Sequence, residues 1–94
     1  MTKKAATKAE KAHLGRLAAL GCVICGAEAQ IHHLRHGMGM GQRNSHYNAI
    51  PLCFLHHTGP EGIHGLGTRE FERRYGTESE LFAQVRAELG SVTQ

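Results

Sequence analysis

Three cysteines and eight histidines in 94 residues are what this chain offers to chemistry. Cys22 and Cys25 form a Cys-x-x-Cys pair, and Cys53-Phe-Leu-His56 repeats the interval after a long excursion. Zinc takes four soft ligands in a tetrahedron, and two residues at this spacing can grip one side of the ion from a tight turn. The two pairs together read as one structural Cys3His zinc site. A Cys-x-x-Cys alone is also compatible with redox chemistry or with buried free thiols; the second pair makes zinc the more specific reading. Folding is then coupled to the ion.

A second constellation is interleaved with the first: His32-His33, then Asn48, then His57. Adjacent residues at the end of a strand face opposite ways, so one histidine can ligate a metal while its neighbour faces a substrate. An asparagine on the returning strand can hydrogen-bond backbone and fix the loop that bears a base; a plain turn residue is the alternative for Asn48. A later histidine at the start of a helix can complete the metal site. His64, beyond the loop TGPEG, is placed to fold back as a third ligand. The chain has no aspartate, so any metal site must be built from His, Cys, Glu or water. Such a set suits metal-assisted hydrolysis, in which a histidine ionises water and the ion stabilises developing oxyanion charge. His13, His36 and His46 match no such spacing and read as ordinary surface or core residues.

The scaffold for these side chains must be small. A chain of this length buries only about 60–65% of its unfolded surface. Hydrophobic residues reach 40%, Trp is absent, and twelve glycines raise the entropy cost of folding. A staple is expected, and metal is favoured over disulfides because three cysteines cannot all pair within one chain. No apolar run approaches the ~18 residues of a membrane span. The opening MTKKAATKAEKAH has no apolar segment of a secretory signal, so the expectation is a cytoplasmic protein with no membrane partner. A net charge of +3 permits a nucleic-acid partner without establishing one. Residues 1–15 read as a basic arm and 16–94 as the domain proper. Lys3, Lys4 and Lys8 on the arm are either a solvated tail or phosphate contacts.

The elements follow from spacing. Leu14, Leu17 and Leu20 predict an amphipathic helix over 8–20, ended by Gly21. A short apolar run at 29–34 and the segment 48–54, with Pro51 limiting its length, read as strands. Residues 37–47 are too rich in glycine for either element. A helix or tight turn begins at 55–57, and 58–67 reads as loop. Thr68 is expected to cap a helix through Tyr75, stopped by Gly76. Thr77-x-x-Glu80 is a capping box for a last helix, with Leu81, Val85 and Leu89, flanked by Phe82, as its buried stripe.

The run IHHL, the glycine-rich loop, NAIPLC and the terminal His-His pair resemble an HNH (ββα-metal) nuclease. The wider stretch IHHLRHGMGMGQRNSHYNAIPLCFLHH followed by GIHGLGTREFERRYGTE looks like the phage recombination-enhancement proteins called Ref, RecA-dependent nucleases of that superfamily. The resemblance covers roughly residues 20–90. It implies an α+β fold, a small zinc-stapled ββα-metal (HNH-like) domain with flanking helices. It also implies a DNA endonuclease acting on RecA-coated DNA in phage recombination. On that likeness His33 is the general base, and Asn48 orients the loop that carries it. His32 and His57, with His64 as a third, hold the catalytic divalent ion (Mg2+, Mn2+ or Zn2+). Cys22, Cys25, Cys53 and His56 hold the structural Zn2+. Arg35, Arg43 and the N-terminal lysines are the expected phosphate contacts, and DNA and the RecA filament are the expected partners. A phage terminase-associated HNH nuclease shares the same site, and a non-catalytic zinc module that binds nucleic acid needs neither His33 nor Asn48. Many HNH nucleases carry aspartate where this chain has His32, which shifts the site toward transition metals.

Overall fold

Thr7 opens the first helix. Its hydroxyl accepts the Glu10 N–H at 3.1 Å, and the Glu10 carboxylate accepts the Thr7 N–H at 2.8 Å, a reciprocal capping box that the leucine spacing alone does not reveal. Helix α1 (Lys8–Leu20) buries Leu17 and packs Leu14 and Leu20 beside it. The boundary expected after residue 15 therefore falls inside one helix. The structure is a computed structural model, and it describes residues 5–35 and 44–92. Lys3, Lys4, His36 and Arg43 lie outside the described residues.

Gly21 ends α1 with φ at 80°. Any Cβ at that position would stand 2.6 Å from the Gly26 carbonyl oxygen, so the turn that follows can close tightly. Cys22 N–H donates to the Ala27 carbonyl and Gly26 N–H to the Cys22 carbonyl, each at 2.8 Å. Strands β1 (Gln30–His33) and β2 (Ala49–Leu52) pair antiparallel, with Gln30 opposite Leu52, His32 opposite Ile50 and His33 opposite Ala49. β2 is shorter than the 48–54 run predicts. Asn48 belongs to the turn before it, and Cys53 is already the N-cap of α2 (Phe54–His57). Pro51 sits in a two-stranded sheet, where its missing N–H costs no interior ladder bond. Its carbonyl accepts the Val23 N–H at 3.0 Å and ties the cysteine turn to β2.

The segment 58–67, expected as loop, contains a further short helix, α3 (Ile63–Leu66). Glycine makes this possible. A Cβ on Gly62 would collide with the backbone of His57, and one on Gly65 with the carbonyl of Gly59. α3 thus lies directly against α2 and the turn after it. Helix α4 (Thr68–Tyr75) has Gly67 as its N-cap, with no side-chain cap bond. Thr68 is its first helical residue and not its cap. Helix α5 (Glu78–Val92) begins at the predicted capping box: Thr77 N–H donates to Glu80 Oε1 at 2.8 Å and Glu80 N–H to Thr77 Oγ1 at 3.1 Å. Leu81 and Val85 are buried, with Phe82 and Leu89 partly so.

The result is a small compact α+β fold. Its core gathers Leu17 from α1, Ile50 and Leu52 from β2, Ile63 from α3, Phe71 from α4 and Val85 from α5. α1, α2 and α5 pack on the short hairpin, while α3 and α4 pack on each other and α3 on α2.

Two glycine substitutions separate close approach from simple helix entropy. Gly65→Ala is expected to destabilise the fold by about 1–3 kcal/mol, the usual cost of overpacking. Gly15→Ala, in α1 with nothing within 4 Å of its Cβ position, is expected to stabilise by about 0.8–1 kcal/mol. Urea denaturation of the two variants checks both signs.

Candidate metal centres

Four sulfur and nitrogen donors converge where the turn after α1 meets the start of α2. Cys25 Sγ lies 3.7 Å from Cys53 Sγ, while His56 Nδ1 lies 3.2 Å from Cys53 Sγ and 3.8 Å from Cys22 Sγ. All four ligand atoms fall within 4.8 Å of one another. The separations suit a shared ion. Disulfide sulfurs would be ~2.03–2.05 Å apart, whereas ligands ~2.3 Å from a tetrahedral ion define edges of about 3.8 Å. The cysteines are free thiols. Cys22, Cys53 and His56 are buried and Cys25 is exposed. Burial raises the Cys22 thiol, but backbone amides of Cys53, Cys25 and Ile24 outweigh it and hold the group below its ordinary range. Burial pushes Cys53 up. The edge of the His56 ring meets Tyr75 of α4, centroids 5.1 Å apart. This Cys3His cluster could hold a metal such as zinc, as the spacing of the two pairs predicts.

The second group is His32 on β1, His57 at the end of α2 and His64 on α3, again with one nitrogen from each ring within 4.8 Å. Ring centroids are 5.2 Å apart for His32 and His57, 5.3 Å for His32 and His64, and 4.8 Å for His57 and His64. The structure therefore brings together the three imidazoles expected at an active-site ion, His64 included. Two of them are oriented by side chains that the sequence reading passed over. His32 Nε2 donates to Glu78 Oε2 at 2.6 Å, and His57 Nδ1 donates to Gln30 Oε1 at 2.8 Å. Hydrogen bonds of this kind select the tautomer and leave the opposite nitrogen for an ion, Nδ1 of His32 and Nε2 of His57.

Glu78 is only 7% exposed. Its second oxygen accepts the Arg35 N–H at 2.8 Å, so one carboxylate at the start of α5 pins two residues around the end of β1. The capping box beside it was the only local signal, and that marks a helix start and not a buried acid. Arg35 also points Nη1 at His64 Nδ1, 3.4 Å away. Burial pushes the His57 imidazole down to about 4, with His32 and His64 adding to the shift. Burial, His32 and Arg35 also lower His64, against an opposing pull from Glu78. Both rings are neutral at pH 7, the form in which imidazole binds a metal.

His33 stands outside this group. Strand alternation sends it to the face opposite His32, and its Nε2 lies 2.9 Å from His46 Nδ1. His46, an ordinary residue by its spacing, is thus the partner of the expected base. Nothing in its sequence neighbourhood indicates this, because the glycine-rich segment between the two hides which residues meet. Asn48 fastens the same region mainly through backbone. Its carbonyl accepts the Leu34 N–H at 2.9 Å, and its side chain donates to Asn44 Oδ1 at 2.9 Å. Of the expected phosphate contacts, Arg35 lies at the three-histidine group, while Lys8 is exposed at the start of α1.

Residues 2–89 match the family described as a protein of unknown function, DUF968. The match spans nearly the whole chain, and the protein belongs to that family. No curated protein matches it. Among the described residues no helix is long and apolar enough to cross a membrane.

Two measurements test the centres. Cys53→Ala is expected to lose one zinc equivalent by elemental analysis and to unfold, because the ion would hold together segments that share little core. With the Cys3His ion bound and no other, His57 is expected to titrate near pH 4 by NMR. The unfolded ring takes its proton near 6.5, so this group's contribution to stability is full above pH 6.5 and is lost as the pH falls toward 4. A midpoint at or above 6.5 contradicts the burial of this ring.

Proposed function

We propose that the protein is a metal-dependent DNA endonuclease of the HNH (ββα-metal) type. The observation that carries this reading is the division of roles at the end of β1. His32 joins His57 and His64 in a group able to hold an ion, while the adjacent His33 stays out of that group and pairs with His46. A purely structural metal site has no use for the second arrangement. The β1–β2–α2 order, with one ligand on β1 and one on α2, supports the same reading. The zinc-stapled domain would then be the scaffold of the site.

The donor set of three imidazoles fits Zn2+ or Mn2+ better than Mg2+, which prefers oxygen. A divalent ion held there would supply positive charge to a scissile phosphate oxygen and to the leaving 3′ oxygen. His33 takes a proton from the attacking water as its oxygen bonds to phosphorus, the P–O3′ bond breaks, and a 5′-phosphate remains. His46 keeps the His33 ring in one orientation through the bond at Nε2. Arg35, beside His64, is the described cation best placed to meet a phosphate oxygen. Its backbone N–H is held by Glu78, and its guanidinium reaches His64. RecA-coated DNA is the substrate that the Ref resemblance suggests, and the assay below includes it for that reason.

Nicking of supercoiled and single-stranded DNA, with and without RecA filament and across several divalent ions, tests the proposal. His33→Ala is expected to lower cleavage by about 10²–10⁴-fold, the usual contribution of a general base, with metal content unchanged. His32→Ala or His57→Ala is expected to lose the second ion and the activity together. Wild-type rates from His33→Ala, or no cleavage by the wild type under any of these conditions, would falsify the reading in favour of a zinc module that only binds nucleic acid.

A further inference from the structure

A cavity of about 340 Å³ lies between α1 and α5, on the side of the hairpin away from the three-histidine group. His13 and Leu17 of α1 form one wall, Phe82, Val85 and Arg86 of α5 the other, and the turn at Tyr47 the rim. The volume is at the low end of the range for small-ligand sites, ~300–1,000 Å³, which suits one planar ring system and is too small for a docked helix. Its lining combines aliphatic side chains, Leu17, Val85 and Leu89 among them, with three rings and one cation. The His13 and Tyr47 rings lie 5.0 Å apart, tilted by 46°. The Arg86 guanidinium carbon lies 5.8 Å above the Phe82 ring. Tyr47 is 45% exposed although it is a large ring. Among the described residues the buried His13 Nε2 has no hydrogen-bond partner, an arrangement that calls for a specific reason.

The position matters as much as the lining. Ala49, which also borders the cavity, is the register partner of His33, so the two side chains share a sheet face. Tyr47 directly follows His46, whose ring meets His33. The cavity therefore adjoins the histidine pair that the mechanism places at the scissile bond.

We propose that this cavity takes one unpaired nucleobase of the DNA strand crossing the site, stacked on Tyr47 and His13 and covered by the Arg86 guanidinium. The inference rests on the nuclease reading for the choice of DNA as ligand. Bases stack on tyrosine, histidine and arginine planes without regard to sequence. The positive charge of Arg86 complements the phosphates on either side. The site would select strands whose bases can leave the helix, that is, single-stranded, unwound or distorted DNA, over intact duplex.

The test uses the full zinc-loaded chain with no other divalent ion, so that binding is read apart from cleavage. Short single-stranded oligonucleotides carry 2-aminopurine at one position, or an abasic site at the same position. Binding is expected to quench the 2-aminopurine emission severalfold and to be about tenfold weaker for the abasic strand. Tyr47→Ala and Arg86→Ala should each abolish that tenfold preference, and Tyr47→Phe should keep it, all with unchanged zinc content and circular dichroism. If Tyr47→Ala fails to fold, Arg86→Ala and Tyr47→Phe still decide. Equal affinity for the base-bearing and abasic strands overturns the proposal. So does a concentration-dependent dimer broken by Arg86→Ala, which would show that the cavity receives a second copy of the chain. A protein that quenches the probe through Tyr47 yet cuts no DNA keeps the base site and loses only the nuclease reading.

Discussion

The meeting of the cysteine turn with the start of α2 is the constraint on which the rest of the structure depends. A hairpin of two four-residue strands is marginal in water by itself, and the core around it is small. At Cys22, Cys25, Cys53 and His56, two segments far apart in sequence bring their donor atoms within 4.8 Å of one another. This clasp sets more than stability. His56 and His57 are neighbours on α2, and one helical step turns their side chains by about 100°. When His56 faces the sulfur donors, His57 is obliged to face His32 and His64. A helix of four residues could not hold that direction alone; the clasp supplies it.

The second fixed point is Glu78. Its carboxylate sits at the first residue of α5, where the exposed amides of a helix N-terminus favour negative charge, and where the Thr77–Glu80 box already fixes the start of the helix. From there it holds His32 by the ring and Arg35 by the backbone. The last helix is therefore more than a lid over the core. It fixes the tautomer of a β1 imidazole, just as Gln30 fixes that of His57. Side chains outside the three-histidine group thus decide which of its nitrogens are left for an ion.

Local signals in the sequence translated well. The leucine spacing of α1, the Thr77–Glu80 box, the two strands and the paired Cys/His intervals all encode structure within a few residues, and all of them correspond to elements or clusters in the fold. What was not legible depends on contacts between distant segments. The short helix α3 arises because Gly62 and Gly65 allow backbone to pack on backbone, and a loop rich in glycine looks the same whether it is open or tightly packed. His46 carries no spacing that ties it to His33. Glu78 reads as an ordinary first-turn acid until the fold buries it against β1. The general rule is that ligand pairs separated by one turn can be read, whereas the residues that orient them come from elsewhere in the chain and cannot.

The alternation of β1 then explains how one short strand serves two surfaces. His32 points to the side where α2 and α3 bring His57 and His64, and His33 points to the side where Ala49 and the turn at Tyr47 border the cavity. Helix α5 reaches both, through Glu78 at its first turn and through Phe82, Val85 and Arg86 further along. A shift of α5 would move the His32 side and the cavity wall together. Sliding β1 by one residue against β2 would do worse, because the period of two would exchange the faces of His32 and His33. β2 is buried on both faces and favours neither; Glu78, which holds the His32 ring and the Arg35 N–H, opposes that slip. The register of a four-residue ladder is thus held from α5, and the separation of His32, which meets His57 and His64, from His33, which meets His46, follows from that register.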